Sequence, residues 1–247
     1  MTETRQREHI QMTGLTLISS MAPLELLKEL TACYQAKTSQ SVSIEAAGGV
    51  EVAKRVRSGE AADAVVLARN VIDELAREGV LLASGIIDIA QAGIAVAVPG
   101  NTPPPDIADE EAVRRAVMAA ASVSYSTGPS GLYLEKKFAA WGILDELRPR
   151  IVIPPPGVPV GSLVATGQVA LGFQQLSELI NVQGITLVGP LPPEMQQLTV
   201  FSGSVTRTSG NRARAGDLLQ FMGSSEAAAL MPRFGMEPCT MTTGCVP

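Results

Sequence analysis

Two short segments place hydroxyls and glycines where a strand would hand over to a helix. They are Leu17-Ile18-Ser19-Ser20 and Ser126-Thr127-Gly128-Pro129-Ser130-Gly131-Leu132-Tyr133. A junction of this kind aims free backbone N–H groups, and the positive end of a helix dipole, at one point in space. Two of them, far apart in the chain, predict a small anion held between two α/β lobes. Ser19 and Ser20 divide naturally into a helix cap and a ligand donor. Thr127, Gly128, Ser130 and Gly131 have the composition of an anion-binding nest, and Tyr133, one turn further on, is placed to offer its phenol.

Other residues extend the candidate site. Gly48 and Gly49 follow the second apolar run, where missing side chains let a ligand approach the backbone, although a tight turn explains them equally. The turn 155–162 offers backbone N–H groups, and Val158 and Val160 are the expected contacts. Arg69 and Glu45 fall at or near strand C-termini, the edge where open α/β sheets bind ligands. Arg69 is suited to a carboxylate, and Glu45 to a base if burial raises its pKa. Gln174 is an amide contact at the end of a further strand.

Much chemistry is excluded. The single histidine, His9, lies in a polar N-terminal stretch, which removes histidine-based triads and metal sites. Cys33, Cys239 and Cys245 lack metal-ligand spacing, and their odd number argues for free thiols over a disulfide framework. No phosphate-binding loop or dinucleotide fingerprint follows a strand, so neither a metal nor a cofactor is expected. Proton transfer would fall to a carboxylate, tyrosine, lysine or serine, and Glu45, Tyr133 and Ser20 are the candidates in that order. A formal charge of −5 without a basic patch argues against nucleic acid, and Arg207, Arg212 and Arg214 read as a solvated loop and helix start. No run approaches membrane-spanning length, so no membrane insertion is expected. The apolar run at 15–18 is too short for a secretory leader, which places the chain as given in the cytoplasm. Removal of a leader would make it periplasmic.

The elements that must position these residues follow an alternating pattern. Strands are expected at 15–19, 42–46, 64–68 and 93–98, with amphipathic helices between them. Composition changes after Pro99, and a second cycle brings strands at 122–126, 151–154, 169–173 and 185–188. The alternation predicts an α/β fold with mixed, mostly parallel sheets and a central cleft. Lobe crossings are expected near 92–94 and 197–201, giving a discontinuous first lobe (13–93 plus 198–247) and a second lobe at 94–197.

Several segments together resemble the molybdate-binding proteins of ABC transporters. They are Ile18-Ser-Ser-Met-Ala-Pro-Leu24, Gly59-Glu-Ala-Ala-Asp-Ala-Val-Val66, Gly128-Pro-Ser-Gly-Leu-Tyr133, Val188-Gly-Pro-Leu-Pro192 and Gly235-Met-Glu-Pro238. The resemblance runs from residue 13 to near the C-terminus. It implies the type II periplasmic-binding fold, closing on an oxyanion, and an ABC permease as partner if the protein is exported. By position, Ser20 matches an oxyanion-binding serine of that family. A second binding serine falls where this chain has Ala47-Gly48-Gly49, so one hydroxyl donor is missing and the pocket is larger. Ala170-Leu-Gly-Phe-Gln-Gln-Leu-Ser-Glu-Leu179 is similar to a subgroup that includes bacterial aconitate isomerase. That similarity implies a tricarboxylate ligand and a 1,3-proton shift, with solute binding for molybdate or another anion as the alternative.

Overall fold

The computed structural model describes residues 14–239, so His9 and Cys245 lie outside the described residues. Strand β1 (Leu15–Ser20) carries Leu15, Leu17 and Ile18 and is buried on both faces. Its parallel neighbours are β2 (Val42–Ala47) and β3 (Ala64–Ala68). Helix α1 (Leu24–Thr38) connects β1 to β2, and α2 (Gly49–Arg57) connects β2 to β3. Helix α3 (Arg69–Arg77) then leads to β4 (Ile87–Ala92). With β9 (Thr199–Val205) the first sheet has the order β2-β1-β3-β9-β4.

Side-chain alternation builds a core on each face of this sheet. Leu17 and Val66 pack with Leu27 and Leu30 of α1 and with Leu218, Leu219 and Met222 of a C-terminal helix at 212–222. Ile18, Val65 and Leu67 point the other way, onto Val52 and Val56 of α2 and Ile72 and Leu75 of α3. A strand with period two between two helical layers produces this arrangement.

The second sheet has the order β6-β7-β5-β8, from β5 (Ile94–Pro99), β6 (Val123–Tyr125), β7 (Leu171–Gln175) and β8 (Ile185–Pro190). Helices α4 (Glu110–Ala119) and α5 (Pro129–Ala140) cover one face, where Val96, Phe138 and Phe173 form a core. Helices α6 (Leu144–Leu147), α7 (Val160–Ala165) and α8 (Leu176–Leu179) are short, and α7 and α8 cover the other face.

Three expectations need correction. The sheets are mixed as expected, but among the described residues the balance is four antiparallel strand pairs to three parallel: β5 pairs antiparallel with β7 and β8, and β9 with β3 and β4. The reason is topological, since β5 and β9 are the strands that continue from one sheet into the other and enter against the local direction. Strand β4 had no counterpart in the sequence pattern, because Asp88 and Gln91 interrupt its apolar run. Both are accommodated: Asp88 accepts from Ser202 Oγ at 2.6 Å, and the Gln91 backbone pairs with Glu237. The expected strand at 151–154 contributes only a single bridge, Val123 to Ile151.

One side chain clamps the crossing at Gly93. Gln196 Oε1 accepts from Ile94 N at 2.7 Å, and Gln196 Nε2 donates to Ile94 O at 3.0 Å. Gly93 leaves the room, since a Cβ there would lie 2.8 Å from Gln196 Nε2. Gln175 completes the joint by donating to the carbonyls of Ala92 and Gly93 and accepting from Thr199 Oγ1. Gln196→Ala leaves Ile94 N–H without its acceptor, while Ile94 O keeps the bond from Leu191 N–H at 2.9 Å, and should cost about 1–3 kcal/mol in urea unfolding. An unchanged midpoint would show that Gln196 does not hold the joint.

Candidate functional site

The first half of the site lies where β1 and β2 end. Ser20 faces Ala47 across the parallel pair, and its side chain lies under the start of α2. A Cβ on Gly49 would sit 3.7 Å from the Ser20 Cβ. Ser20 is buried, and its hydroxyl has no hydrogen-bond partner among the described residues. Leaving a buried donor unmade costs about 1–3 kcal/mol, so an acceptor arriving from outside has a ready partner. Helix α2 opens on Gly48 without a side-chain cap, and a Cβ on Gly48 would meet nothing within 4 Å. Neither Gly48 nor Gly49 has a positive φ, so backbone strain does not require glycine at either position. What the two glycines provide is open access to the first amides of α2. Ser19 divides from Ser20 as expected for the pair, but as a structural residue: it is fully buried and its Oγ donates to Ser20 O at 2.9 Å.

The second half lies where β6 ends. Gly128 opens α5 with no side-chain cap, and Pro129 takes the first helical position. Ser130 is buried and shares a hydrogen bond of 2.9 Å with Ser126 Oγ. No residue from 126 to 131 has a positive φ, so the turn is not an alternating-handed nest. The anion-binding capacity of Thr127, Gly128, Ser130 and Gly131 is therefore that of a plain helix N-terminus. Thr127 and Gly131 also line a groove of ≈ 380 Å³ with Leu132, Glu135, Arg148 and Ile153.

Beside it, α7 starts after a tight turn. Gly157 has φ +77°, and Val158 N–H donates back to Pro155 O at 3.0 Å. This is the geometry of a type II turn, and it takes up the Val158 amide expected to face a ligand. Val160 begins α7 and keeps its place at the helix start. Gln174 is also committed: its Oε1 accepts from Gly161 N at 2.9 Å, and its Nε2 donates to Glu178 at 2.8 Å.

Three sequence candidates are not brought to this site as expected. Glu45 lies on the edge strand β2 with its side chain 61% exposed, paired to Arg55 at 2.7 Å. It lacks the burial that would make it a base. Arg69 is held between Asp73 at 2.9 Å and Asp88 at 2.7 Å, so its charge is already matched. Tyr133 packs against the second core and donates to Met195 O at 2.8 Å, which fixes its phenol on a carbonyl.

Glu178 is the residue that the sequence pattern does not reveal. It enters no ion pair among the described residues, and burial pushes its carboxyl up to about 7. It keeps some solvent-accessible surface but is closely ringed by protein, and that enclosure is the cause of its raised pKa. Bonds from Gln174 and from the Gln175 backbone oppose the shift without cancelling it. The available signal was the Gln174-x-x-x-Glu178 spacing across a strand-to-helix junction.

Apolar side chains frame both halves. Of seven exposed large hydrophobics among the described residues, four stand beside half-site residues: Met21, Val50, Leu132 and Ile153. Apolar surface kept exposed beside a helix start is suited to being covered when another surface approaches. Among the described residues, no group of histidine, cysteine and carboxylate side chains is arranged to hold a metal, and no helix is long and apolar enough to cross a membrane.

The chain is similar to known proteins in sequence and in fold. The family described as bacterial extracellular solute-binding protein matches residues 15–237. An aconitate isomerase from a Pseudomonas species is 33% identical over 234 residues, covering 92% of this chain and 88% of that protein. The periplasmic molybdate-binding protein of Azotobacter vinelandii superposes with a TM-score of 0.76 at 20% identity, covering 92% of this chain and 100% of that one. A sulfate-binding protein of Mycobacterium tuberculosis gives a TM-score of 0.75 at 15% identity, over 93% and 88% of the two chains. The two-lobed binding-protein fold is thereby established.

Proposed function

The chain belongs to the bacterial extracellular solute-binding protein family, and on that footing we propose that it binds a small polycarboxylate between two lobes and isomerises it. The reaction is the interconversion of trans- and cis-aconitate. The lobes are taken as 13–93 plus 198–247 and 94–197, with the cleft between the start of α2 and the start of α5. The observation that carries the reading is the unpartnered buried hydroxyl of Ser20 beside the open N-terminus of α2. The 33% identity to an aconitate isomerase supports the choice of substrate.

The chemistry is an allylic 1,3-proton shift. A base removes a methylene proton, the electron pair spreads through the double bond into a carboxylate, and a proton returns to the far carbon. The added charge falls where helix N-termini and Ser20 Oγ donate, which stabilises the transition state more than the substrate. Ala47-Gly48-Gly49 leaves space at this point for a ligand larger than a tetrahedral oxyanion.

Proton NMR in D₂O tests the reading directly. Isomerisation of trans-aconitate with deuterium uptake is the expected result, and no exchange after prolonged incubation overturns the enzyme. Ser20→Ala should weaken aconitate binding by about 1–3 kcal/mol in titration calorimetry. The same variant should melt no lower than the parent, because it removes a hydroxyl that has no partner in the free protein. A lowered melting temperature with unchanged affinity would assign Ser20 to the fold instead.

A second reading is a receptor without turnover, delivering molybdate or another anion to an ABC permease. The solute-binding family itself favours it. Calorimetry against molybdate and tricarboxylates separates the two, since tight molybdate binding without turnover selects the receptor.

A further inference from the structure

We propose that Glu178 is the catalytic residue that carries the proton, with Gln174 as the residue that positions it. The proposal rests on the isomerase reading above. The other carriers are disposed of by geometry: Glu45 is exposed and paired with Arg55, and Tyr133 is bonded to Met195 O. Ser20 has a hydroxyl but no basic partner among the described residues, so it can donate a hydrogen bond without abstracting a proton.

Glu178 has the placement that a proton carrier needs. It follows the C-terminal end of β7, the sheet edge where open α/β folds bind ligands. Gln174 holds it in one orientation. Gly161 N–H occupies the carboxamide oxygen of Gln174, which forces the amide NH₂ toward the carboxylate. Because Gly161 is in the first turn of α7, this chain of bonds ties Glu178 to the same helix start that Val160 opens. Glu178 as a residue is only partly buried, while the enclosure of its carboxyl disfavours the charge. Strands β5 and β7 and helix α7, which pack against α8, contain no charged residue. The chain near Gly235 also abuts Leu176 and Ser177, but its Arg233 lies over the Phe234 ring and Glu237 is tied to Gln91 through the backbone.

The step balances without a co-reactant. A C–H bond of the ligand's methylene breaks as the Glu178 O–H bond forms, and the electron pair passes into the conjugated carboxylate. The O–H bond then breaks as a new C–H bond forms at the far carbon, and Glu178 returns to its starting charge. A carboxyl that titrates near neutrality both accepts and returns a proton at pH 7.

The test uses the full chain and trans-aconitate. Glu178→Gln should bind the ligand within about 3-fold of the parent in calorimetry, yet lose isomerisation and deuterium exchange by about 100-fold or more. Glu178→Asp should restore part of the rate, which guards against a folding artefact. In the parent, kcat should rise with pH through about 7, the value set by burial of this carboxyl. Gln174→Ala removes a bond that favours the charged form, so it should move that limb to higher pH without abolishing turnover. A parent that turns over with Glu178→Gln at the same rate overturns this assignment alone. A parent that binds trans-aconitate but neither isomerises nor exchanges it overturns both the assignment and the isomerase.

Discussion

Gly131→Ala is expected to destabilise the protein by about 4 kcal/mol or more, beyond the usual range for a single methyl. A Cβ at this position would overlap Ser126 O outright and stand 2.7 Å from its carbonyl carbon. Both are backbone atoms, so no side-chain rotation relieves the overlap. Either the first turn of α5 lifts away from β6 or the Ser126 turn is rebuilt. The contact also sets function, because it seats the start of α5 directly behind the turn that carries Thr127 and Gly128. A variant that retains some fold should therefore lose ligand affinity together with stability. Gly216→Ala is the control of opposite sign. Gly216 lies inside the helix at 212–222, where an added methyl would meet nothing within 4 Å. There the helix gains about 0.5–1 kcal/mol from lost chain entropy. Urea unfolding of the two variants at pH 7 should give shifts in opposite directions. Equal shifts would mean that the packing of α5 on Ser126 is looser than described.

The contrast between these glycines also marks the limit of what sequence conveys. Strands β1 and β3 were legible because each is a short apolar run closed by polar or capping residues, and the burial of all five residues of β3 matches that pattern. Ser20 was legible for the same reason: a hydroxyl at the end of a buried strand has few places to go. Strand β4 was not, because its Asp88 is satisfied by Ser202 and Arg69 and its Gln91 backbone by Glu237, all remote in the chain. Glu45 misleads in the opposite direction. It does lie near a strand end, but whether a strand runs inside or at the edge of a sheet depends on pairing that the run itself does not encode. Arg69 repeats the lesson, since its two carboxylate partners include one from β4. Glu178 escapes the pattern because its chemistry comes from desolvation, a property of everything packed around it. A four-residue spacing to Gln174 is compatible with an ordinary exposed pair, and only the closed packing of α7 and α8 distinguishes the two.

That same desolvation predicts a pH-dependent cost that can be measured without any ligand. In the folded protein the Glu178 carboxyl is raised from its ordinary value of 4.5 to about 7, chiefly by burial. The unfolded chain releases this proton near 4.5, while the native state holds it until about 7. Between those values the native state binds more protons, so stability falls as pH rises through the window. Above it the full cost persists, and below it there is none. Moving a carboxyl's titration by one pH unit takes about 1.4 kcal/mol, so the total cost is about 3 kcal/mol. Glu178→Gln keeps an acceptor for Gln174 Nε2 and carries no charge at any pH. It should therefore be more stable than the parent by about 3 kcal/mol at pH 8 and nearly equal to it at pH 4. Urea midpoints at the two pH values measure the difference directly. If the two proteins differ equally at both, Glu178 is solvated in the native state, and its carboxyl has no reason to titrate near neutrality. If the gap opens only on the alkaline side, the fold is bearing the cost of holding an uncompensated carboxylate at the edge of its second sheet. A cost of that size, kept on a carboxyl that Gln174 ties to the start of α7, is the stability trade expected of a base set in place before its substrate arrives.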